Sequence, residues 1–576
     1  MNKTFAVIAA SVILAASLMG GIRQSSKRTR PTASAQPTGT TPAAEINRRT
    51  PSTAEIIEND YSEAVTTVSN NYAGEIDYEK ATQAAIQGML FTLDPHSAFF
   101  PQSEFKKLKE DQDSRFYGIG VTILQHRDGV YVQSTVEGTP AARAGLRYGD
   151  RIVEVDGKDA REWTSEQVSK NVRGVRGEPV NIKVERVGSE AGLYFKIVRD
   201  SVPLPSIRNE FMLRPGTGYI GLTGGFNHTT DDELRLSLAT LKSQGMHQLI
   251  LDLRNNPGGL LDQAIDVSSE FLARDQVVVS VKGRSEYSQP IVYKSKGSDP
   301  EDVPIVVLIN RNTASASEIV AGAIQDHGRG LVVGETSFGK GLVQKVFQLP
   351  YNTGLTLTTA RYYTPYGRSL QRDYSNGSLY DYYVRHDPEE TPQQHNSTQP
   401  AQPATSATPP ARTPTGPAVR TAAGRIFYGG GGITPDIDVK PLPGTPTRTR
   451  IAEAAFYFTR EMAAGIVPGL ESYRVEKNDF GRSPRASDFP INDKVLEAFR
   501  NFVKKDPTSG LPAAELESEI DFVKLRLREE IVTAAFSSDA GSRVLLESDP
   551  QTLRALEALP DAKRLAESVR NGENRG

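Results

Sequence analysis

The spacing of apolar residues changes along the chain and predicts a different kind of element in each region. Residues 51–116 have helical spacing. The first helix is predicted to begin at Ser52, because Ser52 and Glu55 form the S-x-x-E pattern of a capping box, and a second helix is predicted over residues 84–91. Residues 117–200 instead contain short alternating or apolar runs separated by glycine turns, which is typical of β-strands.

Buried strands alternate with amphipathic helices from residue 201 to residue 443, which predicts a layered α/β domain. Within it, residues 386–423 are rich in Pro, Thr and Ser and nearly free of large apolar residues. Such a segment cannot bury enough surface to offset its ordering entropy, so we predict a disordered insertion. Residues 444–576 return to helical spacing, and a packing helix is predicted to carry Leu516, Ile520, Val523, Leu527 and Ile531.

Composition and the N-terminus narrow the function classes. The 576 residues carry a formal net charge of −3, which gives no electrostatic argument for nucleic acid or an anionic membrane. Cysteine is absent, which excludes thiol nucleophiles, disulfides and cysteine-ligated metals. Residues 1–21 have the layout of a signal peptide or an uncleaved signal anchor, and residues 22–50 that of a flexible linker. We therefore expect export to the bacterial periplasm or cell envelope, although the cations after the apolar run are unusual for simple export.

Ser315 and Ser317 lie where a buried strand gives way to a helix, in NTASASEIVAGAIQD. Ser315 with Glu318 fits a capping box, which would make this an ordinary helix start. The alternative is a nucleophilic serine, which needs a base nearby. Histidine is a poor candidate for that base, because His327 is expected to end the helix and His96 to lie in a structural turn.

Lys340, flanked by glycines in GETSFGKGLVQ, is the remaining candidate base. It is predicted to begin a strand on which Lys340 and Gln344 share one face. Burial would lower the pKa of the lysine towards neutrality. The turn at Gly258 and Gly259, in LDLRNNPGG, would let backbone amides approach a substrate carbonyl. A surface lysine and a plain strand-ending turn are the structural alternatives.

Residues 117–200 resemble a PDZ domain of the kind carried by bacterial proteases. The resemblance rests on Gly118, Ile119, Gly120 and Val121 as the carboxylate-binding loop, and on the segment GTPAARAGLRYGDRIVEVDG. In such a domain the loop amides bind the C-terminal carboxylate of a peptide, which adds a strand to the sheet edge. The resemblance implies protein or peptide partners with free C-termini.

Seven stretches between residues 56 and 439 resemble the carboxyl-terminal processing peptidases, tail-specific serine proteases of the S41 type. They are GMLFTLDPHSAFF, the PDZ segment, LDLRNNPGG, NTASASEIVAGAIQD, GETSFGKGLVQ, YYTPYGRSLQ and YGGGGITPDI. The resemblance implies an α/β protein with a crotonase-like (ClpP-like) protease core, an inserted PDZ domain and helical N- and C-terminal regions. It implies neither a metal nor another cofactor.

Carried over by position, the resemblance assigns the catalytic roles. It implies Ser315 as the nucleophile, Lys340 as the general base and Gln344 as the residue that orients the base, which leaves Ser317 as a neighbour. The oxyanion donors are carried over as backbone amides, that of Ala316 and one from the turn at Gly258 and Gly259, with the choice between the two glycines left open. The resemblance thus implies a serine endopeptidase with a Ser-Lys dyad that cleaves proteins near their C-termini.

Two other functions compete with this one. A noncatalytic PDZ scaffold of the cell envelope would bind tails, but it would not need the serine, lysine and glutamine together. An acyl-CoA enzyme on the same core would not explain the PDZ segment or the export signal. Members of the family often self-associate through their terminal helical regions, so a homodimer or larger homo-oligomer is expected. The sequence leaves open the substrate, its cleavage site, any adaptor and cleavage of the N-terminal segment.

Overall fold

A computed structural model of the protein describes residues 52–284, 291–374, 416–421, 424–480, 484–485 and 487–573. The predicted signal segment and linker lie outside these residues, as does most of the predicted insertion. Within the described ranges, no helix combines the length and the apolar character needed to cross a bilayer.

The N-terminal region is helical, as its spacing predicts. It contains α1 (Thr53–Asn71), α2 (Tyr78–Phe91), the short strand β1 (Ala98–Phe100) and α3 (Gln102–Gln112). The capping box of α1 is present, because the Ser52 N–H donates to the Glu55 carboxylate (2.6 Å) and the Glu55 N–H donates to the Ser52 hydroxyl (3.3 Å). The apolar face of α1 is exposed, and β1 connects this region to the α/β core.

The β-rich domain predicted over residues 117–200 is present. Its strands are β2 (Arg115–Gly118), β3 (Val121–His126), β4 (Gly129–Thr135), β5 (Arg151–Val155), β6 (Lys158–Asp159), β7 (Pro179–Glu185), β8 (Leu193–Val198) and β9 (Asp200–Pro203). Its helices are α4 (Pro140–Ala144) and α5 (Ser165–Val172). The main sheet has the order β3-β4-β5-β7-β8, with β6 on β5, and β2 pairs with β9. Strand β3 therefore lies at an edge of the main sheet.

The α/β core comprises twelve strands and three helices within the described residues. The strands are β10 (Ile207–Arg214), β11 (Thr217–Leu222), β12 (Gln248–Asp252), β13 (Val277–Gly283), β14 (Ile291–Lys294), β15 (Ile305–Ile309), β16 (Leu331–Gly334), β17 (Leu342–Gln348), β18 (Gly354–Tyr363), β19 (Ala418–Arg420), β20 (Ile426–Tyr428) and β21 (Ile437–Asp438). The helices are α6 (Thr230–Ser243), α7 (Leu261–Ser269) and α8 (Ala316–Asp326).

Two sheets form the core. The first has the order β10-β11-β12-β15-β16-β21 and is parallel except for β10. The second is antiparallel and has the order β1-β18-β13-β14, with β17 also on β18. Apolar side chains of both sheets and of α6, α7 and α8 form one continuous hydrophobic core. The carboxyl ends of β12, β15 and β16 meet at one edge, which is where sites form in such sheets.

The predicted insertion was extended too far at its C-terminal end, because a strand begins before residue 423. Ala418–Arg420 form β19, which pairs antiparallel with Ile426–Tyr428. A turn with Gly424 at φ 75° connects the two strands, and the apolar Val419 is partly buried. The prediction was wrong here because a three-residue strand is too short to alter a composition dominated by Pro and Thr. Residues 386–415 lie outside the described residues.

The C-terminal region is helical and consists of α9 (Pro446–Ala464), α10 (Asp493–Lys505), α11 (Ala513–Ser518), α12 (Ile520–Ala535), α13 (Ser538–Leu546) and α14 (Pro550–Glu573). The single helix predicted to carry Leu516 and Ile531 is interrupted at Glu519, whose backbone has φ −112° and ψ 25°. The Glu519 carboxylate pairs with Arg448 on α9 at 3.0 Å, which favours this break. The predicted face still packs into the core that α9, α10 and α12 share.

The C-terminal region contacts the α/β core and the β-rich domain. Helix α14 covers the second face of the parallel sheet, where its small apolar residues pack against Tyr219, Ile250, Val306 and Leu308. The β-rich domain packs against α9, because the His126 ring stacks on Phe456 with centroids 3.6 Å apart and His126 Nδ1 lies 2.8 Å from Glu453. These contacts define the orientation of the β-rich domain on the helices.

Candidate active site

Ser315 lies at the start of α8, after the turn that follows β15. Its backbone has φ 56° and ψ −117°, whereas an ordinary N-cap residue is extended. The hydroxyl is directed towards the Glu318 N–H as in a capping box, yet it is buried and makes no hydrogen bond of good geometry with the described residues. Strained backbone and an unused buried hydroxyl are typical of functional residues, which favours the nucleophile alternative over a plain helix cap.

The buried carboxylate of Glu318 connects the two parts of the site. Its Oε2 accepts the backbone N–H of Ser315 and that of Lys340, each at 2.8 Å. Its Oε1 accepts the Gly339 N–H (2.7 Å) and the Ser337 hydroxyl. Burial raises the pKa of Glu318, and these donors oppose the shift. Because one oxygen bonds to both residues, Ser315 and Lys340 are fixed side by side at the level of the backbone.

Lys340 is 1% exposed and lies in the loop before β17. The prediction that it begins the strand was wrong. Gly339 adopts φ 86°, and the Lys340 N–H donates to Glu318 instead of to a neighbouring strand, so β17 begins at Leu342. Burial lowers the pKa of Lys340 to about 8, against the charges of Glu318 and Asp94. An amine with this pKa can accept a proton near neutral pH.

Gln344 lies on β17 and is buried. Its Nε2 donates to the Thr358 hydroxyl on β18 at 3.1 Å. The Thr358 N–H donates to the Ser97 hydroxyl (3.1 Å), and that hydroxyl donates to the Asp94 carboxylate (2.7 Å). A chain of hydrogen bonds therefore connects the predicted orienting residue with the LDPHS segment of the N-terminal region.

His96 belongs to that segment, and the predicted turn is present. Asp94 Oδ1 accepts the N–H of His96 and that of Ser97, at 2.8 and 2.9 Å. Burial and the charges of Lys340 and Arg372 hold the pKa of His96 well below its usual range. A neutral imidazole and a carboxylate thus border the lysine. The sequence shows an Asp-initiated turn, but its distance of about 245 residues from Lys340 along the chain conceals this proximity.

The turn that follows β12 lies against the serine. A Cβ atom on Gly258 would be 2.7 Å from the Ser315 Cβ and 2.8 Å from the Ala316 nitrogen, at φ 92°. The Ala316 N–H is the first of α8, so it has no acceptor within the helix and lies at the positive end of the helix dipole. The Gly258 N–H donates to Asn256 Oδ1 at 2.9 Å. Of the predicted oxyanion donors, Ala316 therefore fits best.

Two further contacts fix this turn. Gly259, at φ 152°, packs against the Phe226 backbone, where a Cβ atom would collide with the carbonyl oxygen at 2.0 Å. The Ser317 hydroxyl donates to the Asn256 carbonyl at 3.1 Å. Ser317 thus supports the turn.

The predicted carboxylate-binding loop connects β2 with β3. The carbonyls of Ile119 and Gly120 accept the N–H groups of Ala141 (2.7 Å) and Val136 (3.0 Å). The N–H groups of the same two loop residues have no acceptor among the described residues. The adjacent strand β3 has one free edge, so the loop and the strand offer unpaired donors for an added peptide strand.

Replacing Glu318 by glutamine is expected to lower both kcat and the melting temperature. The amide nitrogen would face N–H donors that now bond to a carboxylate oxygen, and unsatisfied buried donors cost about 1–3 kcal/mol each. Loss of the negative charge also lowers the pKa of Lys340 further, so the alkaline rise of activity should move to lower pH. Activity–pH profiles and calorimetry measure both effects.

Glu497→Gln, an exposed change on α10, is the control. It should leave the profile and the melting temperature unchanged. A Glu318→Gln profile identical to that of the unchanged protein would contradict the role assigned to this carboxylate.

Two family models match parts of the chain, and individual proteins match about half of it. The model for Peptidase family S41 matches residues 216–384, and that for the PDZ domain matches residues 107–185. A carboxy-terminal-processing protease of Bartonella bacilliformis is 38% identical over 53% of this chain and 70% of its own length. A carboxyl-terminal-processing protease of Picosynechococcus sp. is 33% identical over 51% of this chain and 71% of its own length.

Among solved structures, a photosystem II D1 C-terminal processing protease is 31% identical, with a TM-score of 0.32, over 54% of this chain and 83% of that chain. The S41 match contains Ser315, Lys340 and Gln344, and the PDZ match contains the loop between β2 and β3. The predicted fold class, an S41-type core with a PDZ domain and helical terminal regions, is confirmed by the two family matches and by the observed terminal helices. The chain belongs to the carboxy-terminal-processing proteases, serine peptidases of family S41 that carry a PDZ domain.

Proposed function

We propose that this enzyme is an endopeptidase that cleaves proteins near their C-termini, with Ser315 as nucleophile and Lys340 as general base. The observation that carries the proposal is the Glu318 carboxylate, whose one oxygen accepts the N–H of both residues. It holds the backbone of Ser315, whose hydroxyl is buried, next to the backbone of Lys340, whose pKa is lowered by burial to about 8. A structural lysine would not require either the burial or the shared carboxylate.

The proposed reaction is acyl transfer through an ester intermediate. The neutral Lys340 amine takes the Ser315 hydroxyl proton as the oxygen attacks the scissile carbonyl carbon. The Ala316 N–H donates to the oxyanion that forms. The C–N bond then breaks, and the lysine ammonium gives its proton to the leaving amine. Water, deprotonated by the same amine, hydrolyses the ester and regenerates the serine.

Gln344 and the LDPHS segment are proposed to orient the amine. Gln344 is fixed by Thr358, and Thr358 is fixed by Ser97 and Asp94. Because His96 is neutral, it adds no positive charge that would lower the pKa of the lysine further. The predicted base is thus surrounded by groups that limit its motion without removing its basicity.

The PDZ domain is proposed to bind the substrate's tail. The unpaired N–H groups of the loop suit a carboxylate, and the free edge of β3 suits an extended peptide. Ile119, Val168 and Val172 belong to the adjacent hydrophobic core. Because these side chains are buried, the preference for a small apolar residue at the substrate's C-terminus is proposed from the PDZ resemblance alone.

Amidating the C-terminus of a peptide substrate is therefore expected to lower kcat/KM about ten- to hundredfold. Amidation removes a charge-assisted hydrogen bond, which contributes about 1.5–3 kcal/mol. Two peptides with the same sequence and small apolar last residues, one free and one amidated, are compared at limiting concentration.

Two glycine variants test whether the preference for a free C-terminus depends on the carboxylate-binding loop. Gly120→Ala places a Cβ atom 2.3 Å from Thr139 at φ 77°, so it should distort the loop and remove the preference for the free acid. Gly157→Ala has nearly the same φ, 78°, but open space around it, so it should retain the preference. Ser315→Ala should cleave neither peptide. Equal cleavage of both peptides by the unchanged enzyme would refute tail binding by the PDZ domain.

Export and self-association are proposed from the sequence. The apolar segment within residues 1–21 supports delivery to the cell envelope, either as a soluble protein after cleavage or as an anchored one. The exposed apolar face of α1 supports association between copies of the chain. Fractionation with N-terminal sequencing, and sedimentation of the purified protein, measure the two properties.

A further inference from the structure

The PDZ domain and the C-terminal helical region enclose a cavity of about 200 Å³ that the proposed mechanism does not use. Its wall carries five cationic side chains, those of Arg147, Arg186, Arg460, Arg474 and Lys477, and no carboxylate among the described lining residues. A second cavity of about 430 Å³ shares Arg147, Arg474 and Lys477 and also has Glu476 and Asp479 on its wall. Positive charge from two domains therefore converges on one space.

Three of the five cations have partners, which differ in how far they compensate the positive charge. Arg186 donates through Nε and Nη2 to Asp150, at 2.7 and 2.8 Å, so its charge is neutralised. Arg460 donates to the Gly149 carbonyl at 2.9 Å and lies over the Tyr131 ring, which are dipolar and not anionic partners. Arg474 lies 3.5 Å from Glu476, but both side chains are largely exposed, so that pair contributes little.

Arg147 and Lys477 lack ion-pair partners within the parts of the chain that the structure describes. Burial and the charge of Arg186 lower the pKa of Arg147, and the carboxylates of Asp150 and Glu476 oppose this shift without reversing it. Arg147 is half-buried and Lys477 is exposed, and their positive charges, one from each domain, repel each other across the contact between the two domains. An anion in the cavity would reverse this effect.

We propose that this cavity binds a phosphate group, as free phosphate, diphosphate or a small phosphate ester. The planar guanidinium of Arg147 matches phosphate geometry in a bidentate manner. A dianion would compensate Arg147 and Lys477 together, whereas a single carboxylate would compensate one of them. The volume suits a small anion and not a polymer.

A bound phosphate would bridge the two domains. Arg147 belongs to the PDZ domain, and Lys477 to the C-terminal region that also contacts His126 and covers the protease core. Phosphate binding would therefore stabilise the orientation of the PDZ domain seen here. Such binding does not depend on the roles proposed for Ser315 and Lys340.

Titration calorimetry of the full chain with inorganic pyrophosphate at low ionic strength tests the proposal. The double variant Arg147→Gln/Lys477→Gln is expected to bind at least about tenfold more weakly, because it loses two charge-assisted contacts. The control Arg554→Gln/Lys563→Gln removes the same charge from exposed positions of α14 and should bind normally. Pyrophosphate should raise the melting temperature of the unchanged protein and of the control, but not that of the cavity variant.

A separate arm distinguishes the source of the phosphate group. Cosedimentation with phosphatidic-acid vesicles that excess pyrophosphate displaces would identify a lipid headgroup. Pyrophosphate binding without cosedimentation would identify a soluble phosphate. Undetectable pyrophosphate binding to the unchanged protein, or equal weakening in both double variants, would overturn the proposal.

Discussion

Replacing Lys340 by methionine is expected to lower kcat roughly 10³-fold or more and to leave the fold intact. The change removes the amine that would deprotonate Ser315 but keeps a linear side chain of similar size in a fully buried site. Because burial already disfavours the ammonium form, an apolar replacement should maintain or raise the thermal stability. Steady-state cleavage of an unfolded substrate and differential calorimetry measure the two effects.

Lys345→Met is the matched control, since the same substitution is made on β17, at a partly exposed lysine that lies over the Phe347 ring. It should leave kcat within about twofold of the unchanged value, as expected for a surface site. Near-normal kcat in Lys340→Met would show that another group is the base. A large loss of kcat in both variants would show that the effect is not specific to Lys340.

Gly258→Ala is the second change with a large expected effect, a loss of kcat of about 10²- to 10³-fold. The new methyl group would occupy space 2.8 Å from the Ala316 nitrogen and 2.7 Å from the Ser315 Cβ. It would therefore obstruct both the oxyanion donor and the nucleophile, and loss of one such donor alone costs this much. Single-turnover kinetics separates this chemical defect from weaker substrate binding.

Gly245→Ala supplies the comparison, because Gly245 has φ 88° and no atom lies within 4 Å of the position that its new Cβ would occupy. It carries the same kind of backbone cost, about 1 kcal/mol of stability, without touching the site. Its kcat should be unchanged. If the two alanine variants had the same kcat, close approach of Gly258 to Ser315 would not matter for catalysis.

Local patterns predicted most of the elements. The capping box of α1, the strands of the PDZ domain and the alternation of strands and helices in the core all depend on residues close together in the sequence. The predicted boundaries of elements were wrong where a residue bonds to a partner that is distant in the sequence. The Lys340 N–H bonds to Glu318 and not to a strand, and Glu519 pairs with Arg448 at the break between α11 and α12.

The candidate site shows why the sequence around Ser315 fits both a helix cap and a nucleophile. The Ser315 and Glu318 pattern fits a capping box, and Glu318 does accept the Ser315 N–H, but the same carboxylate also bonds to Lys340. Ser315 combines a positive φ with close packing against Gly258, and no local pattern reveals either feature. The family resemblance favoured the nucleophile over the helix cap where spacing alone did not.

Contacts between domains were beyond local prediction. The approach of His96 to Lys340 depends on the pairing of β1 with β18, which joins segments about 250 residues apart. The position of α14 on the parallel sheet and the stacking of His126 on Phe456 have no signature in their own periodicity. Long-range pairing of this kind is determined by tertiary packing and not by local propensity.

The pH dependence of covalent labelling tests the central claim most directly. A fluorophosphonate reacts with an activated serine, and mass spectrometry identifies the labelled residue. The account predicts an adduct on Ser315, formed at a rate that rises with pH through an apparent pKa of about 8, because neutral Lys340 is the form that takes the proton. In Lys340→Met the labelling should be slow and should lack this rise. An adduct on Ser317, or the same rate and pH dependence in both proteins, would contradict the Ser315–Lys340 dyad.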